Sequence, residues 1–224
     1  GYRETSILFA QYYRGSAGHI RDASSAVCQN QNQFHGDQVE EQTAQDQPAE
    51  GGLAVCGGIL DPQAANELAK AGIVVVSIDY RLGLSQLPAK RGIRTMIDVM
   101  SNAVNIAVED IYAATNYVLA NAEAWGVDSS KIMLSGSSAG AITALQAEWM
   151  RCNGAERAKV LPKDFRYAGI VSCAGAIYST KGKPRFKSEP APMLLFHGTS
   201  DSNVPYDHAA ILGIGFYGSK YITE

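Results

Sequence analysis

Five residues in the middle of the chain, Gly136-Ser137-Ser138-Ala139-Gly140, have the types and spacing of a Gly-x-Ser-x-Gly turn. They follow the apolar run Lys131-Ile132-Met133-Leu134-Ser135 and precede the helix-favouring Ala141-Ile142-Thr143-Ala144-Leu145-Gln146-Ala147-Glu148-Trp149. Strand, tight turn and helix in that order lift a serine hydroxyl out of the chain, where it can attack a carbonyl. The glycines are mechanical: a Cβ at position 136 or 140 would obstruct the close approach of strand and helix. A turn this short arises by chance in roughly one chain in ten of this size, so its context carries the reading.

A serine hydroxyl is a poor nucleophile until a histidine takes its proton, and a carboxylate holds that histidine in the right tautomer. Asp201, in His197-Gly198-Thr199-Ser200-Asp201-Ser202-Asn203-Val204-Pro205-Tyr206, follows the serine by two strands and is placed for the acid in the chain order Ser, acid, His. An ordinary turn carboxylate capping its own loop has the same signature. His208 opens Asp207-His208-Ala209-Ala210-Ile211-Leu212, which reads as the first turn of a helix carrying a solvated imidazole. His197 precedes the acid on a strand end and reads as a hydrogen-bonded structural histidine, while His19 and His35 lie in a badly patterned region.

The elements that must position these groups are legible from residue 61 onward. Asp61-Pro62 supplies a cap and a first-turn proline, residues 63 to 71 favour helix, and Gly72 stops it. Ile73-Val74-Val75-Val76-Ser77-Ile78-Asp79 has almost no polar alternation and reads as a central parallel strand covered on both faces. Val104, Val108, Ile111, Thr115, Val118 and Ala122 recur at steps of three and four, which predicts a long helix between about Ile97 and Ala124, ended by Gly126-Val127-Asp128. Ala168-Gly169-Ile170-Val171-Ser172 and Met193-Leu194-Leu195-Phe196-His197 read as two further buried strands. Strands alternating with helices predict an α/β class: three layers, α/β/α, around a mostly parallel sheet. Ligand chemistry in such sheets sits beyond the carboxyl ends of the strands, where Ser138 and Asp201 both fall.

The 224 residues, 46% of them hydrophobic and 18% charged, fit one domain, residues 1–224, able to bury a real core. About residues 14–60 are the exception. Between Gln29 and Glu50 the large apolar residues are Phe34 and Val39, so loop or disorder is expected there. A net charge of −3 with both signs interspersed predicts no basic face, and so no nucleic-acid or anionic-membrane partner. No apolar stretch reaches 18 residues, so no membrane span is expected; Ile7-Leu8-Phe9-Ala10 is too short for a signal core, and localisation is left open. Cys28, Cys56, Cys152 and Cys173 lack metal-ligand spacing, so no metal site is expected. Buried free thiols are the ordinary reading and a Cys152 to Cys173 disulfide the sharper one.

Three blocks, Val76 to Gly83, Trp125 to Ala141 and His197 to Tyr206, resemble in order and mutual spacing the α/β-hydrolase carboxylesterases, particularly bacterial ones, over about residues 61–224. The resemblance implies a Ser-Asp-His ester hydrolase with Ser138 as nucleophile, Asp201 as triad acid, the backbone N–H of Ala139 as an oxyanion donor, a small-molecule ester as substrate, and no cofactor. Where the family carries a His-Gly-Gly type motif after an apolar strand, this chain has Ala49-Glu50-Gly51-Gly52-Leu53 and later Cys56-Gly57-Gly58, with no apolar strand legible before them. Gly51 and Gly52 are the candidates for the remaining oxyanion donors, since main-chain N–H groups suffice. The family's histidine comes some tens of residues beyond the acid, which leads to the expectation of a chain incomplete at both ends, with a damaged or misread N-terminal stretch and impaired turnover. A non-catalytic binding module on the same fold and a related peptidase are the competing readings.

Overall fold

A computed structural model of the protein describes residues 92–224 throughout and, before them, residues 5–12, 52–58, 67–68, 70–71, 73–78, 80–81 and 83. The strands are β1 (Thr5–Tyr12), β2 (Gly52–Gly58), β3 (Ile73–Ile78), β4 (Ile132–Ser137), β5 (Gly169–Cys173), β6 (Ala176–Ser179), β7 (Met193–Phe196), β8 (His208–Ile211) and β9 (Ile214–Gly218). The helices described in full are α1 (Ile93–Asn121), α2 (Ala139–Cys152) and the short α3 (Ser219–Thr223), and residues 67, 68 and 70 are also helical.

Six strands form the main sheet in the order β3-β2-β1-β4-β5-β7. β2 pairs parallel with β3, β4 with β5 and β5 with β7, while β1 runs antiparallel to both β2 and β4. The α/β class with a mostly parallel sheet is therefore what the chain adopts, in an arrangement like that of α/β-hydrolases. A second sheet, β6-β9-β8, is antiparallel.

The long helix forms because its apolar stripe is wide enough to be buried along its length. Val104, Ala107, Val108, Ile111, Tyr112, Thr115 and Val118 are its buried residues, matching the predicted spacing. It ends through Gly126, whose φ of 65° suits the left-handed step past a helix end, with Val127 N–H returned to Ala122 C=O at 2.7 Å. Ile111 and Tyr112 of α1 share one core with Ile132 and Leu134 of β4, Leu145 of α2 and Ile170 of β5.

Three expectations need correction. Gly52–Gly58, expected as loop, is strand β2, so the apolar strand before Gly57-Gly58 does exist; Leu53-Ala54-Val55 is simply too short and glycine-flanked to stand out in sequence. The remainder of the stretch from 14 to 60 lies outside the described residues. β3 sits at the edge of the described sheet rather than at its centre. Its run looks continuous because Val76 is buried and Val74 and Ile78 pack against the core, whereas the intervening Ser77 is exposed. Residues 208–211 form β8, not a helix: pairing with β9 through the tight turn at Leu212-Gly213 overrides the helix preference of Ala209 and Ala210. Cys152, buried, and Cys173, half-buried, are both free thiols, which is the ordinary reading of the two and removes the disulfide alternative.

β7 is the other edge of the described sheet, and Leu194 and Phe196 on one of its faces are each 55% exposed. Unpaired backbone beside exposed apolar side chains templates association. Size-exclusion chromatography over a concentration series should show higher-order species that Phe196→Lys diminishes; a clean monomer at every concentration would refute this.

Candidate active site

The polypeptide leaves β4 at Ser137 and enters α2 at Ala139, and Ser138 between them has φ 53° and ψ −120°. A non-glycine residue at positive φ is held there by its surroundings at a cost of order 1–3 kcal/mol. Three contacts hold it: Ser138 N–H donates to Cys173 C=O of β5 at 2.8 Å, Ser138 C=O accepts from Ile142 N–H at 2.9 Å, and Gly136 lets the strand meet the helix. Ser138 is solvent-exposed, whereas Gly136 and Gly140 beside it are buried.

Ala139 is the first residue of α2. N–H groups in a helix's first turn lack intrahelical acceptors and sit at the positive end of the helix dipole, so Ala139 N–H is available to an anion beside Ser138.

Gly51 lies outside the described residues, and the strand register does not bring Gly52 to the serine. Tyr12 of β1 pairs with Gly52 and Thr5 with Gly58, while Gln11 pairs with Ile132 and Ile7 with Gly136. Gly52 is therefore level with the entry of β4 and stands roughly 20 Å along the strand direction from the edge where Ser138 lies. An oxyanion role for Gly52 is corrected on that ground. Gly57 and Gly58 are the glycines of this stretch that reach the Ser138 edge, although β1 stands between β2 and β4.

Asp201 follows β7, two strands across from β4, beyond the same carboxyl ends. Its Oδ1 accepts from the N–H groups of Asn203 at 2.8 Å and Val204 at 3.0 Å. Those backbone donors, Val204 first, with a smaller attraction from His197, hold the carboxyl below the ordinary carboxylate range. Asp201 thus caps its own loop and remains ionised at neutral pH, with Oδ2 3.7 Å from His197 Nε2.

His197 is buried, and both ring nitrogens are occupied. Nε2 lies 3.1 Å from Val204 C=O, which can only accept, so Nε2 carries a proton, and Nδ1 meets Ser219 Oγ at 2.8 Å. This is the structural histidine expected from its strand-end position. His208 is exposed on β8, 2.9 Å from Asp207 Oδ1 and stacked on Tyr217, so its imidazole is solvated as expected but sits on a strand. His19 and His35 lie outside the described residues.

The contact that sequence reading missed is at the far end of α2. Glu148, fully buried, accepts from Arg151 Nε at 2.8 Å and Nη2 at 2.7 Å, and from Ala191 N–H at 2.6 Å. Ala191 lies between Pro190 and Pro192, which have no N–H to offer, and its bond to Glu148, with that of Ser188 Oγ to Cys152 C=O at 3.1 Å, ties the lead-in of β7 to the helix that follows Ser138. A Glu-x-x-Arg pair on an otherwise apolar helix is the signal that could have found it. Among the described residues no cluster of His, Cys, Asp or Glu forms a metal site, and no helix is long and apolar enough to cross a membrane.

No curated protein and no solved structure matches the chain. A family model described as BD-FAE, a family associated with α/β-hydrolase-like esterases, matches residues 58–159, a stretch that includes β3, α1, the serine turn and α2.

Proposed function

We propose that the protein is a serine hydrolase that cleaves small carboxylic esters through an acyl-enzyme on Ser138. The observation that carries this reading is the exposed Ser138 at φ 53° on the step from β4 into α2. In this reading Ser138 Oγ attacks the ester carbonyl, the oxyanion rests on Ala139 N–H, the alcohol leaves, and water then releases the acid. Asp201 is the carboxylate of the triad in this reading, and the match of the BD-FAE model across the serine turn supports Ser138 as its nucleophile.

Neither described histidine bonds to Ser138 or Asp201: His197 has both ring nitrogens engaged by Val204 and Ser219, and His208 on β8 turns Nδ1 to Asp207. Loss of a triad histidine costs on the order of a million-fold in turnover. The expected result is slow hydrolysis of short p-nitrophenyl esters, accelerated by added imidazole, and labelling by a fluorophosphonate probe that is confined to Ser138. Ser138→Ala should remove both. A serine with no histidine bonded to it among the described residues favours a second reading, a binding module on this fold, and an inert serine in a folded sample would establish that reading in place of the first.

A further inference from the structure

The composition predicts no basic face, but the structure gathers one. The segment joining β6 to β7 reads Lys181-Gly182-Lys183-Pro184-Arg185-Phe186-Lys187, and Lys181, Lys183, Arg185 and Lys187 are all exposed while Pro184 is buried and Gly182 and Phe186 are half-buried. Alternation puts four cations on the outer side of one stretch. None of them forms an ion pair with another described residue; the Lys183 ammonium instead sits 5.6 Å above the Tyr221 ring. Lys183 and Arg185 also line a cavity of about 430 Å³ whose other walls include Phe186 and Tyr221.

Beside this run stands the tip of the β8–β9 hairpin. Leu212 has φ 52° and Gly213 φ 80°, the pair of left-handed residues that a two-residue hairpin turn requires. Asn, Asp and Gly are the residues that suit the first of these positions; a leucine there is strained, and it is 97% exposed, with Ile211 next to it 70% exposed. The hairpin does not wave free: Gly182 N–H donates to Gly213 C=O at 3.0 Å, and a Cβ on Gly213 would stand 2.8 Å from Gly182 Cα. The apolar tip and the start of the cation run are therefore clamped together.

We propose that Ile211 and Leu212 together with Lys181, Lys183, Arg185 and Lys187 form a surface that docks on an anionic lipid bilayer, the apolar tip entering the headgroup layer and the cations lying against lipid phosphates. A soluble polyanion would use the cations and have no use for a strained, bare leucine; a bilayer uses both.

The test is sedimentation of the full chain, in a Ser138→Ala background so that lipid is not consumed, with vesicles of phosphatidylcholine alone or containing about a third phosphatidylglycerol. Binding is expected to the anionic vesicles and to fall with salt. Lys183→Gln with Arg185→Gln should weaken it about 25-fold, roughly five-fold for each cation removed. Leu212→Asn suits the turn better and should melt no lower than the parent, yet weaken vesicle binding about ten-fold. No binding to anionic vesicles would overturn the proposal. So would binding indifferent to Leu212→Asn, or binding abolished by millimolar glycerol 3-phosphate, since either would mark a site for anions rather than for a bilayer.

Discussion

Replacing Glu148 with alanine is expected to destabilise the protein by about 3–5 kcal/mol, because it leaves the Arg151 guanidinium largely buried without its carboxylate. The side chains are 0% and 12% exposed, so water cannot take over the lost bonds, and Ala191 N–H loses its acceptor as well. For a chain of this length that is a fall in Tm of roughly 10 °C. Arg151 is held strongly protonated, first by its hydrogen bonds to Glu148, so it cannot escape by shedding its proton. Glu148→Met combined with Arg151→Leu should recover part of the loss, since a buried ion pair is replaceable by well-packed apolar side chains. The recovery stays partial because the orphaned Ala191 N–H still costs about 1–3 kcal/mol. Thermal melts of the three proteins decide this, and a Glu148→Ala Tm within about 2 °C of the parent would show that the pair is solvated.

The consequence reaches the site. Helix α2 follows directly on Ser138 and, ten residues on from that serine, Glu148 grips the approach to β7, whose far end leads to Asp201. The Ser138 turn and the Asp201 loop are thus referred to one rigid helix, and loosening the grip should broaden the placement of Asp201 before the fold is lost.

How much of this was legible in sequence follows from where each signal is stored. The serine turn, α1 and the strands β4, β5 and β7 were legible because a period-3.6 stripe or a short apolar run bounded by turn residues is local information. Asp201 was legible as a turn carboxylate for the same reason, since its Oδ1 partners lie two and three residues ahead. Strands β1 and β8 were not, because each is made by partners: β1 by a register with β2 and β4, and β8 by a turn that tolerates Leu212 at positive φ. The position of Gly52 failed for a related reason. Proximity in sequence to Gly57-Gly58 says nothing about which end of a strand faces the serine, and six residues of extended chain separate opposite edges of a sheet. The basic run was hidden by averaging, since four cations between 181 and 187 vanish in a net charge of −3.

Gly136→Ala should be strongly damaging to the serine turn. An added Cβ there would stand 2.4 Å from the Gly140 carbonyl carbon, 2.6 Å from its oxygen and 2.7 Å from Ala141 N, all of them backbone atoms with no rotamer to yield. The strand cannot withdraw, because Gly136 is paired on one side with Ile7 of β1 and on the other with Ser172 of β5. The first turn of α2 must lift instead, at about 3 kcal/mol or more, the upper end of overpacking costs. Lifting that turn moves Ser138 and Ala139 N–H together, and a displacement near 1 Å costs about a hundred-fold in a positioned reaction, so fluorophosphonate labelling should fall by at least that factor. Gly198→Ala is the matched control: it stands in the loop that leads to Asp201, and its Cβ would meet nothing within 4 Å. That variant should melt within about 0.5 kcal/mol of the parent and label at the parent rate. If Gly136→Ala behaves like Gly198→Ala in both measurements, strand and helix do not meet at this glycine, and the geometry that exposes Ser138 is wrong.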